Sequence, residues 1–235
     1  MISLVGSAAG TTTFTSPTHR IGDIFICFAF RDGSTTNPTI PGGWTSITNT
    51  TDGTTCSVSA GWKRATSTGE TSGTWSNATR VICIVLRGCL DNGTPIGTFA
   101  PTAGTTNTVT YTSRNLNSSN ITGASWFIAF AGHRSVDTTL ESPPTGMTLV
   151  SSDVDANAET ACFATTGTGG QTYGPATANW PSTNVSISGT ASGWQTMVIE
   201  VFADGGELES RKYLTSTPNS TGANAGVLSF SERIN

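Results

Sequence analysis

Four segments of the chain are apolar at both odd and even positions. They are Asp23-Ile24-Phe25-Ile26-Cys27-Phe28-Ala29-Phe30, Arg80-Val81-Ile82-Cys83-Ile84-Val85-Leu86, Ser125-Trp126-Phe127-Ile128-Ala129-Phe130-Ala131 and Gln195-Thr196-Met197-Val198-Ile199-Glu200-Val201-Phe202. A strand with one wet face alternates apolar and polar residues. A run that is apolar on both parities therefore predicts a central strand covered on both faces. Weaker alternating strands are predicted over residues 11–15, 56–63, 105–112, 160–166 and 184–188, with Gly, Pro, Asn and Asp clusters between them. No window of a dozen residues places apolar side chains at helical spacing without Gly, Pro or a β-branched run. The chain is predicted to be all-β, with Ile26, Phe28, Ile82, Ile84, Ile128, Phe130, Val198 and Val201 in its core.

The strong strands fall into two similar sets. Phe25, Ile26, Phe28 and Ala29 match Phe127, Ile128, Phe130 and Ala131 at a constant offset. Each is followed by a Pro-Gly turn, Pro41-Gly42-Gly43-Trp44-Thr45 and Pro144-Thr145-Gly146-Met147-Thr148. Cys56 then matches Cys162, Trp75 matches Trp180, and the run from Val81 matches the run from Met197. These matches predict an internal duplication over about residues 20–90 and 123–203. Either half alone would expose too much apolar strand, so the two halves are expected to pack face to face. The predicted fold is an antiparallel β-sandwich over residues 1–203, jelly-roll or Greek-key-like, with a C-terminal extension over 204–235.

Composition changes the picture in one respect. Charged residues make up only 11% of the 235 residues, well below the roughly 25% of ordinary soluble domains. Thr, Ser, Asn and Gly take their place. Six Trp and ten Phe supply core volume, which excludes a disordered polar chain. The net charge is −4 and the only lysines are Lys63 and Lys212. With arginines scattered singly, no basic stripe exists to neutralise phosphates, and nucleic-acid binding is not expected. No segment approaches the roughly 20 apolar residues of a membrane helix. The start, Met1-Ile2-Ser3-Leu4-Val5-Gly6, lacks the features of a signal peptide, so synthesis in a cytoplasm is expected. The cysteines, Cys27, Cys56, Cys83, Cys89 and Cys162, form no Cys-x-x-Cys pair and read as small buried hydrophobes.

Candidate chemistry is sparse. There are two histidines, His19 and His133, and no Gly-x-Ser-x-Gly elbow. Asp153 with Asp155, and Glu207 with Glu209, lie in predicted loops or the tail, where solvated carboxylates are ordinary. Asp153, Asp155 and Glu159 lack the glycine and ligand density of a calcium loop. No catalytic residue, metal or cofactor is expected. Trp44, Trp62 and Trp180 fall near turns or strand ends, where rings either plug the sandwich or stack on sugars. Seven Asn-x-Ser/Thr sequons occur, as chance dictates in so Ser/Thr-rich a chain. In the extension, Val227, Leu228 and Phe230 sit on one alternating edge. They are expected to grip a partner's sheet, with Arg211, Tyr213 and Arg233 as polar anchors; the alternative is an edge strand on the chain's own sandwich.

Four motifs carry a resemblance: Gly22-Asp23-Ile24-Phe25-Ile26-Cys27-Phe28, Pro41-Gly42-Gly43-Trp44-Thr45, Val58-Ser59-Ala60-Gly61-Trp62-Lys63-Arg64-Ala65 and Ile84-Val85-Leu86-Arg87-Gly88. Together they resemble a family of β-sandwich proteins of tailed bacteriophages. That pattern has a Gly-Asp-led strand, a Pro-x-Gly-Trp-Thr turn, an Arg-Ala step after an aromatic, and a strand closing on Arg-Gly. The second half departs from it, with Met147 for the turn Trp and Phe202-Ala203-Asp204 for the close. The resemblance implies a non-enzymatic structural protein of the virion exterior, of the decoration, cement or collar kind. Other virion proteins and further copies of the chain would be its partners. It also explains how a chain made in a host cytoplasm comes to have an outer-surface composition. The alternative expectation is a tail-associated receptor-binding or carbohydrate-binding module using Trp44, Trp62 and Trp180.

Overall fold

The computed structural model describes residues 1–91, 93–116, 125–135, 140, 142–168 and 171–204. Among these are twelve strands: β1 (Ser3–Gly10), β2 (Ile24–Asp32), β3 (Thr45–Thr51), β4 (Cys56–Arg64), β5 (Arg80–Arg87), β6 (Ile96–Gly104), β7 (Thr108–Tyr111), β8 (Trp126–His133), β9 (Met147–Val154), β10 (Glu159–Thr165), β11 (Thr183–Ser186) and β12 (Trp194–Val201). The first five form one sheet in the order β1-β5-β2-β4-β3. A second sheet has the order β6-β12-β8-β10-β9, and β7 and β11 pair separately. All pairings are antiparallel. The non-sequential neighbours make each sheet Greek-key-like rather than a meander.

The two-parity reading of the strong strands holds, and the reason is visible. Ile24, Ile26, Phe28 and Phe30 of β2 and Ile82, Ile84 and Leu86 of β5 face Trp126, Ile128, Phe130, Met197, Ile199 and Val201 of the second sheet in one central core. Phe28 stacks on Phe130 with ring centroids 5.6 Å apart and planes at 3°. Gly132 marks a close approach of the sheets, since a Cβ there would lie 2.5 Å from the Phe30 ring. The opposite parity of each sheet builds its own outer core. Phe25, Cys27, Val81, Cys83 and Val85 are covered by loops bearing Phe14 and Trp75. Phe127, Ala129, Ala131 and Val198 are covered by β7, β11 and Trp180. The eight residues predicted for the core are all fully buried.

The sheets agree in detail beyond their strand order. Ile47 in β3 and Val150 in β9 are each the extra residue of a β-bulge at the same register. A second pair of bulges falls at Val5 in β1 and within residues 97–98 of β6. The Pro-Gly turns also superpose in pattern. Trp44 N–H donates to Pro41 C=O and Met147 N–H to Pro144 C=O. Gly43 and Gly146 hold φ of 83° and 81°, a left-handed conformation that costs any other L-residue. The β3–β4 and β9–β10 hairpins are each capped by an aspartate, Asp52 and Asp155, whose Oδ1 accepts N–H groups of the turn.

The register corrects two sequence matches. Phe28 pairs with Ala60 and Phe130 with Cys162, so Cys162 corresponds to Ala60 and not to Cys56. Phe28 pairs with Ile82 and Phe130 with Met197, so Met197 corresponds to Ile82 and not to Val81. A shift of one residue matters because it exchanges inner and outer faces. The segment 11–15 is not a strand. Its backbone instead ties the outer loops together: Phe14 N–H donates to Ser72 Oγ and Thr12 C=O accepts Trp75 N–H. The sheets also reach beyond the predicted repeat limits, taking in β1 and β6.

Candidate functional site

The family-like motifs converge on one corner of the first sheet, where β2 begins and β4 and β5 end. Asp23, 1% exposed, takes two hydrogen bonds from Arg87, at 2.8 and 2.7 Å, and one from Arg20 N–H at 2.9 Å. Burial opposes the charge on Asp23, but the Arg87 and Arg20 bonds outweigh it and hold its carboxyl below the usual range. Ala65 N–H donates to Asp23 C=O and Gly22 N–H to Ala65 C=O. Arg64 reaches the carbonyls of Gly22 and Leu90. Asp23 and Arg87 are spent on each other and on backbone, and Arg64 also reaches the exposed Asp91 at 3.2 Å.

Beside this corner lies a buried lysine. Lys63 is the β-partner of Phe25. Its Nζ sits 5.3 Å from the Phe25 ring centroid and 5.1 Å from that of Trp44, a cation–π arrangement. It donates to Glu70 at 3.0 Å and to Thr71 C=O. The Thr66 N–H and Lys63 together hold Glu70 down at about 2. Trp44 packs edge-on against Trp75 at 5.1 Å, and its indole N–H donates to Ser72 C=O.

The same place in the second sheet is built from different residues. Phe127 stands where Phe25 stands, and Thr165 where Lys63 stands. Thr165 Oγ1 accepts from Phe127 N–H at 2.7 Å and donates to Phe127 C=O at 3.1 Å. Met147 replaces Trp44. The indole comes from the other side, because Trp180 N–H donates to Thr145 C=O of the turn at 2.9 Å. Each sheet thus ties its Pro-Gly turn to its long loop with one indole hydrogen bond, from the turn in the first and from the loop in the second. With a threonine in place of the lysine, a cavity of about 360 Å³ remains, lined by Phe127, Gly146, Thr165, Asn179 and Trp180 among others.

The sequence-predicted positions fall as follows. Trp180 is 5% exposed and closes the outer core with Tyr111. Trp44 is half-buried between Phe25, Trp75 and Lys63. Trp62 is half-buried against the central core. The three indoles do not form one surface: Trp44 belongs to the outer side of the first sheet, Trp62 to the central core and Trp180 to the outer side of the second sheet. Arg211, Tyr213, Val227, Leu228, Phe230 and Arg233 lie outside the described residues. His133 is fully buried, with its Nδ1 3.0 Å from Ser135 C=O. Asp153 and Asp155 flank Arg80 at 3.3 and 3.6 Å, an ion-pair cluster that joins β5 to the β9 end. Burial pushes the Asp153 carboxyl up against the pull of Arg80. All five cysteines are free and buried, and Cys27 faces Cys83 across β2 and β5. Among the described residues no cluster of His, Cys, Asp and Glu could hold a metal ion, and no helix is long and apolar enough to cross a membrane. The cavity was not legible in the sequence. Its one signal is Thr165 in the register place of Lys63, visible only once the strands are paired.

Comparison with known proteins adds no identity: no family model, no curated protein and no solved structure matches the chain.

Proposed function

We propose that this chain is a non-enzymatic structural protein of a tailed-bacteriophage particle, an accessory exterior protein of decoration, cement or collar type. The observation that carries the reading is the corner of Asp23, Arg64, Lys63 and Arg87. The motifs that resemble the phage family spend their charged side chains on closing the fold, so they are scaffold and not active site. A Thr/Ser/Asn surface over a sandwich with three apolar cores suits a protein that works by being rigid. Its partners would be other virion proteins and further copies of itself, and its place the particle exterior after synthesis in the host cytoplasm. The internal duplication belongs to the same proposal, supported by the shared strand order and the matching bulges. Quantitative mass spectrometry of purified particles tests the reading. The chain is expected at a fixed stoichiometry to the shell, neck or tail proteins, and its absence from particles sinks the proposal.

A second reading, a tail-associated module that binds a receptor glycan, is favoured by one observation, the open cavity beside Trp180.

A further inference from the structure

We infer that the cavity beside Trp180 is a binding site for a neutral pyranose ring. This inference deepens the second reading and does not depend on where the protein sits on a particle.

The argument starts from the two sheets' equivalent outer corners. In the first sheet the space over Phe25 is filled. His19 packs edge-on at 4.9 Å, the Lys63 ammonium lies over the ring, and Trp44 closes the side at 6.4 Å. In the second sheet the register partner of the phenylalanine is Thr165, whose hydroxyl folds onto the Phe127 backbone. The turn residue Met147 is itself buried, 5% exposed. The remaining space is an open cavity of about 360 Å³, within the size range of small-ligand sites.

Its lining specifies the ligand class. Among the described residues no charged side chain lines it, so none of them favours an anion or a cation. Its apolar lining comes from Phe127, Pro175, Ala176 and Trp180, of which Pro175 and the edge of Trp180 reach the surface. The rim is exposed and carries neutral hydroxyls and an amide, Thr166, Thr168, Thr177 and Asn179. The Asn179 Oδ1 accepts from Leu116 N–H at 2.9 Å, which fixes the amide with its NH₂ donors turned to the other side. A pyranose has this chemistry: an apolar C–H face and a ring of neutral hydroxyls. A purely apolar ligand would leave the hydroxyl rim unused, and a charged one would find no counter-charge. Rigid strands and a turn fixed by Gly146 hold the walls, which lowers the ordering cost of binding.

The test is calorimetric titration of the full chain with methyl glycosides of glucose, galactose and N-acetylglucosamine. Saturable binding of at least one, with Kd on the order of 1 mM, is expected. Ala178→Trp fills the cavity from its exposed rim and should weaken binding by about tenfold or more with an unchanged melting temperature. No saturable binding by any of the three sugars overturns the site and the second reading together. Binding that ignores Ala178→Trp but is lost with Tyr173→Ala overturns the site alone. It would place the sugar in the separate cleft beside β1 that Trp126 and Tyr173 line.

Discussion

The first sheet closes its corner with charge, and the second closes the equivalent corner with small neutral side chains. Strand order, bulges, glycine turns and aspartate-capped hairpins are shared, so the difference is one of side chains on the same frame. In the first sheet Asp23, Arg87, Lys63 and Glu70 are tied to one another or to backbone. In the second, Thr165 and Trp180 make short neutral hydrogen bonds and leave a cavity. The frame is set by what pairs with what along the backbone, and the corner residues are then free to lock the fold or to open it.

The largest expected effect belongs to what the sheets share. Phe28→Ala and Phe130→Ala each remove half of the central stack and should cost about 3–5 kcal/mol in denaturant unfolding. The double variant should cost less than the sum, because each single change already breaks the contact. Strict additivity would show that the sheets do not depend on each other there.

The corner comes next and should separate the sheets. Asp23→Ala leaves Arg87 without its partner and should cost about 1.5–3 kcal/mol. Acid should act on the same side. Asp23, Asp52 and Glu70 all titrate below their ordinary values when folded. Their contribution is full above the unfolded carboxyl range and is lost as pH falls through the folded values, from about 4.5 to about 2 for Glu70. Asp153 has the opposite sign. Its raised value opposes folding while it is charged, and that penalty is relieved as pH falls. Glu70→Gln should therefore flatten the acid limb of a stability–pH curve, and Asp153→Asn should not.

The turns sharpen the comparison at smaller scale. Gly43→Ala and Gly146→Ala should each cost about 1–2 kcal/mol, from the positive φ alone. A large inequality between them would mean that the two turns are not equivalent. The smallest effect is expected for Arg134→Gln. It breaks the partly exposed pair with Asp32, worth about 0.2–1 kcal/mol and weakened further by salt.

What the sequence made legible follows burial. Its four strongest runs are β2, β5, β8 and β12, four of the six interior strands, because only a strand covered on both faces is apolar on both parities. The four strands it missed, β1, β3, β6 and β9, are the four sheet edges. Their residues are small or polar, as in Ser3-Leu4-Val5-Gly6-Ser7-Ala8-Ala9-Gly10. Each pairing they make with an interior neighbour contains a bulge that breaks the alternation of the edge strand. The misplaced strand at 11–15 has β-branched threonines, yet its backbone bonds are made to a serine side chain and a loop. At the corner, Asp23, Lys63 and Arg87 belong to three separate motifs, and nothing along the chain says that those motifs converge. The cavity is less legible still, since it is the absence of a side chain at a place defined only by register.

Each sheet is drawn from one continuous stretch of chain, and this has a consequence for the order of synthesis. A nascent chain holds all five strands of the first sheet once Arg87 has emerged, while its facing partner is not complete until Val201. At about 5–20 residues per second, that leaves an interval of roughly 6–23 s. During it Ile26, Phe28, Ile82 and Ile84 have no covering layer. A neighbouring nascent chain presents the same bare face at the same stage. Crowded synthesis on one messenger therefore favours a premature pairing of like sheets, which the arrival of the second half must displace.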